Sequence, residues 1–185
     1  MSEQEIQRFP RPYTLEDHLK IALLRDVDWP ITEHLSGQRY VQFGSGFKHI
    51  NHPSWLNFDY EEWDAESGEP VPIDDGRIAG IICYFTLDHL SDPIRVLAEF
   101  QRILMVGGWI VIVVPHYSSE LWHTCLQHKS QFGIDTWRNI FSERQYAHTG
   151  PDGEKVEWKL NIVSNFLFGV TERNLVMITQ FRKTS

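Results

Sequence analysis

The sequence predicts an α/β fold built on a mostly parallel sheet, and three features of the chain support this. The apolar stretch 39–43 breaks into Gly-Ser-Gly, as strands often do at a ligand pocket. The runs RIAGIICY (77–84) and WIVIVVP (109–115) are rich in β-branched residues and resemble buried parallel strands. A helical apolar stripe lies between these two runs, so together they predict a right-handed crossover.

The start of the crossover helix is marked by its residue types. Ser91 or Asp92 can cap it, and Pro93 suits the first helical position. We expect Gly107 and Gly108 to end the helix. Apolar residues at helical spacing form one stripe along it: Ile94, Leu97, Phe100, Ile103 and Leu104.

The rest of the chain is predicted to complete a single domain over residues 1–185. A helix is expected to begin at Thr14, with Asp17 completing a capping box. Residues 116–153 form an insertion, or lid, rich in histidine and aromatic residues. The stretches 154–169 and 174–183 then predict a closing antiparallel hairpin.

The segment from Gly44 to Asp59 predicts a nucleotide-type cofactor pocket. Glycines directly after a parallel strand let the backbone approach a ligand, so we expect the amides of Gly44, Ser45 and Gly46 to bind it. Asp59 ends the next apolar run, where a carboxylate can accept both hydroxyl hydrogen bonds of a ribose. A plain tight turn and a solvated strand-end carboxylate are the alternatives.

Six segments, in this order, resemble the class I S-adenosylmethionine-dependent methyltransferases, in particular a short group of the methyltransferase type 11-like kind. The resemblance implies a Rossmann-like methyltransferase sheet, shortened after the first strand, and S-adenosylmethionine as the cofactor. The segments are FGSG (43–46), WLNFD (55–59), VPIDDG (71–76), LDHL (87–90), ILMVGGW (103–109) and VIVVPHY (111–117).

The resemblance also assigns expected roles to further residues. Asp74, with Asp75 beside it, would reach the adenine or its ribose edge, and Tyr84 would border the methionine moiety. A plain Asp-Asp-Gly turn and a packed aromatic side chain are the equal alternatives. The short connection after Gly46 leaves no room for the usual crossover helix. Lys48 or His49 would therefore help to bind the cofactor carboxylate.

Candidate catalytic residues follow the strand 109–115, where open α/β sheets place substrates. His116, Tyr117 and His128 are the catalytic candidates, because histidine can act as a base near neutral pH. His89 is expected to have a structural role in its turn. The spacing of the histidines matches no zinc-binding helix, so no metal site is predicted.

Composition limits the classes of partner. The chain has 25 acidic and 17 basic residues, and its positive charges form no runs, so a nucleic-acid surface is not expected. Cys83 and Cys125 suggest no disulfide framework. No signal peptide or membrane anchor is expected, which makes the cytoplasm the predicted location.

The sequence favours a methyltransferase acting on an unidentified small molecule, sugar or protein nucleophile. Ala79 stands where the family usually has aspartate, so a catalytically inactive protein that binds a partner protein is the alternative. A hydrolase that uses the histidines is disfavoured because no Gly-x-Ser-x-Gly nucleophile turn occurs.

Overall fold

The structure is a computed structural model that describes residues 38–46, 50, 53–141, 156–169 and 175–185. The helix predicted from Thr14, the predicted carboxylate contacts at Lys48 and His49, and residues 142–153 of the insertion lie outside these ranges. In the described part of the chain, no helix combines the length and the apolar character of a membrane span.

Six strands form one sheet in the described ranges. The strands are β1 (Arg39–Phe43), β2 (Trp55–Phe58), β3 (Ile78–Tyr84), β4 (Leu104–Pro115), β5 (Leu160–Phe168) and β6 (Val176–Lys183). The helical segments are a 3-10 turn (Leu87–His89), α1 (Pro93–Ile103), α2 (Glu120–Thr124) and α3 (Thr136–Phe141).

The strand order is β2-β1-β3-β4-β6-β5. Strands β1 to β4 run parallel, whereas β6 is antiparallel to both β4 and β5. Both the mostly parallel sheet and the closing hairpin are thus confirmed. Strand β4 is buried from Trp109 to Pro115, as expected for a central strand covered on both faces.

Helix α1 begins as the sequence predicts but ends earlier. The Asp92 carboxylate accepts a hydrogen bond of 3.0 Å from the Arg95 amide, and Pro93 occupies the first turn. The predicted end at Gly107 and Gly108 was wrong, because the helix ends at Ile103. Leu104 is already extended and pairs with Ile78 of β3. Pairing along the sheet therefore overrides the local glycine signal.

One glycine inside the sheet is required by packing. A Cβ on Gly80 would come within 2.3 Å of the Trp109 ring. Trp109 also packs against Tyr40, with ring centroids 6.1 Å apart, and Tyr40 stacks on Trp55. This aromatic row joins β2, β1, β3 and β4 across the sheet.

The segment before β3 is held to α1 by one arginine. Arg102 donates hydrogen bonds to the carbonyl oxygens of Val71 and Ile73, and it pairs with the carboxylates of Glu99 and Asp75. The Glu99 carboxylate lies beside the guanidinium and raises the pKa of Arg102 further above its usual value. These contacts fix the path of the chain toward β3.

Candidate functional site

A cavity of about 600 Å³ lies where the carboxyl ends of β1, β2 and β3 meet. Open parallel sheets bind ligands in this position. Aromatic and acidic side chains dominate the lining. The lining residues are Phe43, Gly44, Gly46, Phe58, Asp59, Tyr60, Trp63, Asp64, Ala65, Glu66, Phe85, Thr86, His89, Leu90, Val96, Phe100 and Lys129.

Gly46 and Asp59 form an open corner of this cavity. Gly46 has φ +49°, and a Cβ on it would meet nothing closer than the Asp59 Oδ2 atom, 3.9 Å away. Asp59 Oδ1 accepts a hydrogen bond of 2.9 Å from the Tyr60 amide, which orients the carboxylate. The sequence thus predicted two residues that the fold brings together at the cavity.

Gly44 has a different role from the predicted one. Its φ is +68°, and a Cβ on it would come within 1.8 Å of the Thr86 Oγ1 atom. Gly44 is therefore needed for the close approach of Thr86, which donates a hydrogen bond of 2.8 Å to the Tyr84 carbonyl. The glycine lets two loops touch at the cavity wall.

The predicted amide cradle is only partly available. The Gly44 and Ser45 amides donate to the carbonyl oxygen of Phe58, at 2.9 and 3.2 Å, so they connect β1 to β2. The Ser45 side chain is 4% exposed and does not line the cavity. Among the described residues, the Ser45 Oγ atom has no hydrogen-bond partner. The expectation that all three amides face a ligand is therefore corrected for Gly44 and Ser45.

Phe85, which no sequence pattern marked, lines the cavity in place of Tyr84. Its φ is +45°, a left-handed conformation that non-glycine residues rarely adopt. Its amide donates a hydrogen bond of 2.8 Å to the Val113 carbonyl. Burial raises the pKa of Tyr84 well above its usual value. Phe85 lies just past the end of β3, and this left-handed turn, rather than strand alternation, sets the direction of its side chain toward the cavity.

Asp74 and Asp75 lie away from this cavity. Asp74 lines a separate depression beside Arg39 and Arg77, and Asp75 pairs with Arg102 at 2.7 Å. The position of this turn therefore does not support the predicted contact between Asp74 and the adenine. The arginine partner of Asp75 could not be identified from the local sequence, because it lies on α1.

Acidic and basic groups meet on one side of the cavity. Glu66 accepts hydrogen bonds of 2.6 Å from the Ser91 amide and 3.1 Å from Lys129 Nζ. The Ser91 hydrogen bond, followed by the Lys129 contacts, holds the pKa of Glu66 below its usual value. Residues 66, 91 and 129 are far apart in sequence, so only the fold could show this contact.

The three predicted catalytic residues do not line the cavity. His116 is buried, and its Nδ1 atom lies 2.7 Å from Ser118 Oγ. Tyr117 is 51% exposed and packs against the His116 ring. His128 faces Asp88 and Trp122. His89 does line the cavity, and its side chain is 34% exposed.

A buried carboxylate lies between two histidines next to the cavity. Asp88 is 0% exposed, and its Oδ2 atom lies 2.9 Å from His128 Nε2 and 3.7 Å from His89 Nε2. The closer contact lacks hydrogen-bond geometry, and within the described ranges no other residue donates a hydrogen bond of normal geometry to either Asp88 oxygen. Burial raises the pKa of Asp88, while its own backbone amide and the two histidines act in the opposite direction.

Solved structures share this fold at low sequence identity. A chain of the Haloferax volcanii complex formed with the Trm112 methyltransferase activator is similar, with a TM-score of 0.56 and 13% identity, covering 90% of this chain and 89% of that one. An Archaeoglobus fulgidus SAM-dependent methyltransferase gives a TM-score of 0.55 and 14% identity, covering 96% and 97%. A geranyl diphosphate methyltransferase in complex with SAM gives 0.51 and 10%, covering 80% and 79%. At these identities the similarity concerns the fold.

Sequence comparison identifies the family. A search of curated proteins finds no significant match. The family model described as a methyltransferase domain matches residues 21–149, which is more than half of the chain. This range contains the cavity-forming glycine loop, Asp59, the 3-10 turn and α1. The chain therefore belongs to this methyltransferase domain family.

Proposed function

We propose that this protein is an S-adenosylmethionine-dependent methyltransferase. The observation that carries the proposal is the open corner at Gly46, with the Asp59 carboxylate beside it, at the carboxyl end of a parallel sheet. Membership of the methyltransferase domain family supports the same function. S-adenosylmethionine is the cofactor expected for this family and fold.

The cavity has features that suit this cofactor. Its volume of about 600 Å³ lies within the range of roughly 300 to 1,000 Å³ typical of small-molecule sites. Asp59 would accept the ribose hydroxyls, while Phe43, Phe58 and Trp63 provide apolar surface for the adenosine. Lys129 pairs with Glu66, but Asp59 and Asp64 leave the lining with a net negative charge, which favours a cationic ligand.

The reaction places modest demands on the protein. S-adenosylmethionine, when bound, supplies an electrophilic methyl carbon on its sulfonium centre. The chain must orient the cofactor and exclude water, which Asp59 and the aromatic lining can do. His89, for which the sequence favoured a structural role, lines the cavity and would contact an acceptor there. His128 does not line the cavity, so it would influence an acceptor only through its contact with Asp88, which lies beside His89.

For the methyl acceptor we propose only a chemical class. A small molecule, a sugar or a protein side chain with a nucleophilic oxygen, nitrogen or sulfur fits the cavity chemistry. An inactive protein that binds a partner is the competing proposal, and the complex of a structurally similar chain with the Trm112 activator makes a protein partner plausible. The two proposals differ in whether the cavity binds cofactor.

Isothermal titration calorimetry with S-adenosylhomocysteine, the demethylated product, tests the proposal. We expect binding to the native protein and a loss of about tenfold or more, roughly 1.4 kcal/mol, in Asp59→Ala, because a charge-assisted contact is removed. Asp135→Ala is the matched control, since Asp135 pairs with Arg138 away from the cavity. Absence of binding heat in folded native protein would favour the partner-binding proposal.

A further inference from the structure

We propose that Asp88, His89, Cys125 and His128 form a binding site for a divalent cation of the Zn²⁺ type at the wall of the cavity. These four residues, called here the 88/125 cluster, come from two segments of the chain: the 3-10 turn after β3 and the loop after α2. The proposal concerns metal binding by the protein itself, so it does not depend on the proposed methyl transfer.

The geometry of the cluster is close to that of a zinc site. One ligand atom from each of His89, Cys125 and His128 lies within 4.8 Å of the other two. Tetrahedral zinc has bonds of about 2.0 to 2.3 Å, which places its ligand atoms roughly 3 to 4 Å apart. A contraction of about 1 Å would therefore bring the three residues onto one ion.

Asp88 provides the second, independent observation. Its side chain is 0% exposed, and it points at the two histidines from 2.9 and 3.7 Å. Within the described ranges, its oxygens receive no hydrogen bond of normal geometry from another residue. A buried carboxylate needs a positive charge beside it, and either a proton on His128 or a metal ion held by the same residues would supply that charge. The separations from the two histidine nitrogens are those expected between ligands of one ion.

His128 is oriented as metal-binding histidines usually are. Its Nδ1 atom lies 2.9 Å from the Trp122 carbonyl oxygen, and its ring stacks on the Trp122 ring with centroids 4.8 Å apart. A hydrogen bond from Nδ1 to a backbone carbonyl leaves Nε2 as the atom that can bind a metal. That Nε2 atom is the one facing Asp88.

Backbone contacts hold the two segments of the cluster together. The Lys129 and Ser130 amides both donate to the Asp88 carbonyl oxygen, at 2.7 and 3.1 Å. Ser130 Oγ donates to the Leu90 carbonyl at 2.7 Å. The loop that carries Cys125 and His128 is therefore pinned to the turn that carries Asp88 and His89 before any ion binds.

The ligand types favour zinc over magnesium or calcium. Two imidazoles and a thiol are ligands that zinc prefers, whereas the two lighter cations prefer oxygen atoms throughout. Binding would release the Cys125 thiol proton to solvent, since the thiolate is the ligand. Because His89 lines the cavity, the ion would border the space proposed for the methyl acceptor.

Zinc titration of the full, chelator-treated chain in competition with a chromophoric chelator tests the site. We expect a zinc ion bound by the native protein and an affinity at least about tenfold lower in Cys125→Ser, because a thiolate ligand is lost. His123→Ala is the matched control, since His123 is exposed on α2 and is not part of the cluster. Cobalt(II) should give a thiolate charge-transfer band in the native protein that Cys125→Ser lacks.

Absence of zinc binding, or zinc binding and a cobalt spectrum unchanged in Cys125→Ser, would overturn the proposal. Cys125 is partly exposed, so its serine variant should keep the fold, which circular dichroism checks. S-adenosylhomocysteine binding is measured separately on the same samples. Failure of zinc binding with intact S-adenosylhomocysteine binding would reject the metal site and leave the proposed function standing.

Discussion

The Asp59 Oδ2 atom faces Gly46 across the open corner of the cavity, 3.9 Å from where a Cβ on that glycine would lie. The two residues are the carboxyl-end neighbours of adjacent parallel strands, which brings their backbones together. Gly46 therefore borders the space in front of the Asp59 Oδ2 atom. The absence of a side chain at position 46 thus keeps the space beside the carboxylate free.

Gly46→Ala should weaken S-adenosylhomocysteine binding by about tenfold or more, because the new methyl group would occupy ligand space. Gly68→Ala is the matched control: Gly68 has φ +86°, lies outside the lining and has open space around it. Both variants carry the backbone cost of a left-handed alanine, about 1 to 2 kcal/mol. Calorimetry on both variants separates this backbone cost from the loss of ligand space. Equal affinities of Gly46→Ala and Gly68→Ala for S-adenosylhomocysteine would contradict the role given to Gly46.

Asp74→Ala should leave the affinity for S-adenosylhomocysteine unchanged within about twofold, less than 0.5 kcal/mol. The reason is its position in a depression separate from the cavity that Asp59 lines. The same calorimetry measures it beside Asp59→Ala. A loss in Asp74→Ala comparable to that in Asp59→Ala would restore the adenine contact predicted from the sequence.

Gly44→Ala should destabilise the fold by about 2 kcal/mol or more, since it adds both a left-handed alanine and a clash with Thr86. Thr86→Ala removes the Oγ1 atom that the new methyl group would meet at 1.8 Å. The cost of Gly44→Ala should therefore be smaller in a Thr86→Ala background. Urea unfolding of the double-mutant cycle measures this coupling, and strictly additive effects would argue against the contact.

The stability of the protein should fall in mild acid partly because of His116. Burial lowers the pKa of His116, so the unfolded chain takes up this proton more readily than the folded one. The contribution of His116 to the free energy of unfolding is fully present above the unfolded pKa of about 6.5. It decreases as the pH falls toward the lower pKa of the folded state. Urea unfolding across this window should show a weaker pH dependence in His116→Asn. His123→Asn, at an exposed site, should behave like the native protein.

The two cysteines should differ in reactivity toward a thiol reagent. Burial raises the pKa of Cys83 to about 12, and its side chain is enclosed in β3. Cys125 is partly exposed, so we expect one modified thiol in the folded, chelator-treated protein and two after unfolding. Mass spectrometry of the labelled peptides checks this. Rapid labelling of Cys83 in folded protein would contradict its burial.

Several elements were predictable because their signals are local. Asp92 and Pro93 marked the start of α1, and the β-branched run 109–115 marked a buried strand. The end of α1 was not predictable in this way, since Leu104 leaves the helix to pair with β3. Strand pairing depends on a partner that the local sequence does not contain.

The residues of the candidate site also fall into those with local sequence signals and those without. Glycine and a strand-end aspartate have recognisable local patterns, so Gly46 and Asp59 could be selected before the fold was known. Phe85 was missed because the direction of a side chain just past a strand end depends on the turn that follows. The contact of Asp88 with His128 was missed because it joins distant segments.

The sequence by itself determined the order of the strands and the place of α1, because periodicity, caps and glycine positions act over a few residues, and its ordered motifs carried the resemblance to the methyltransferase family. Only the tertiary structure decided which side chains share the cavity and which are used elsewhere, such as Asp75 with Arg102 and the Gly44 amide with Phe58. The physical reason is that cavities and buried charge pairs are formed by chain segments that meet only after folding.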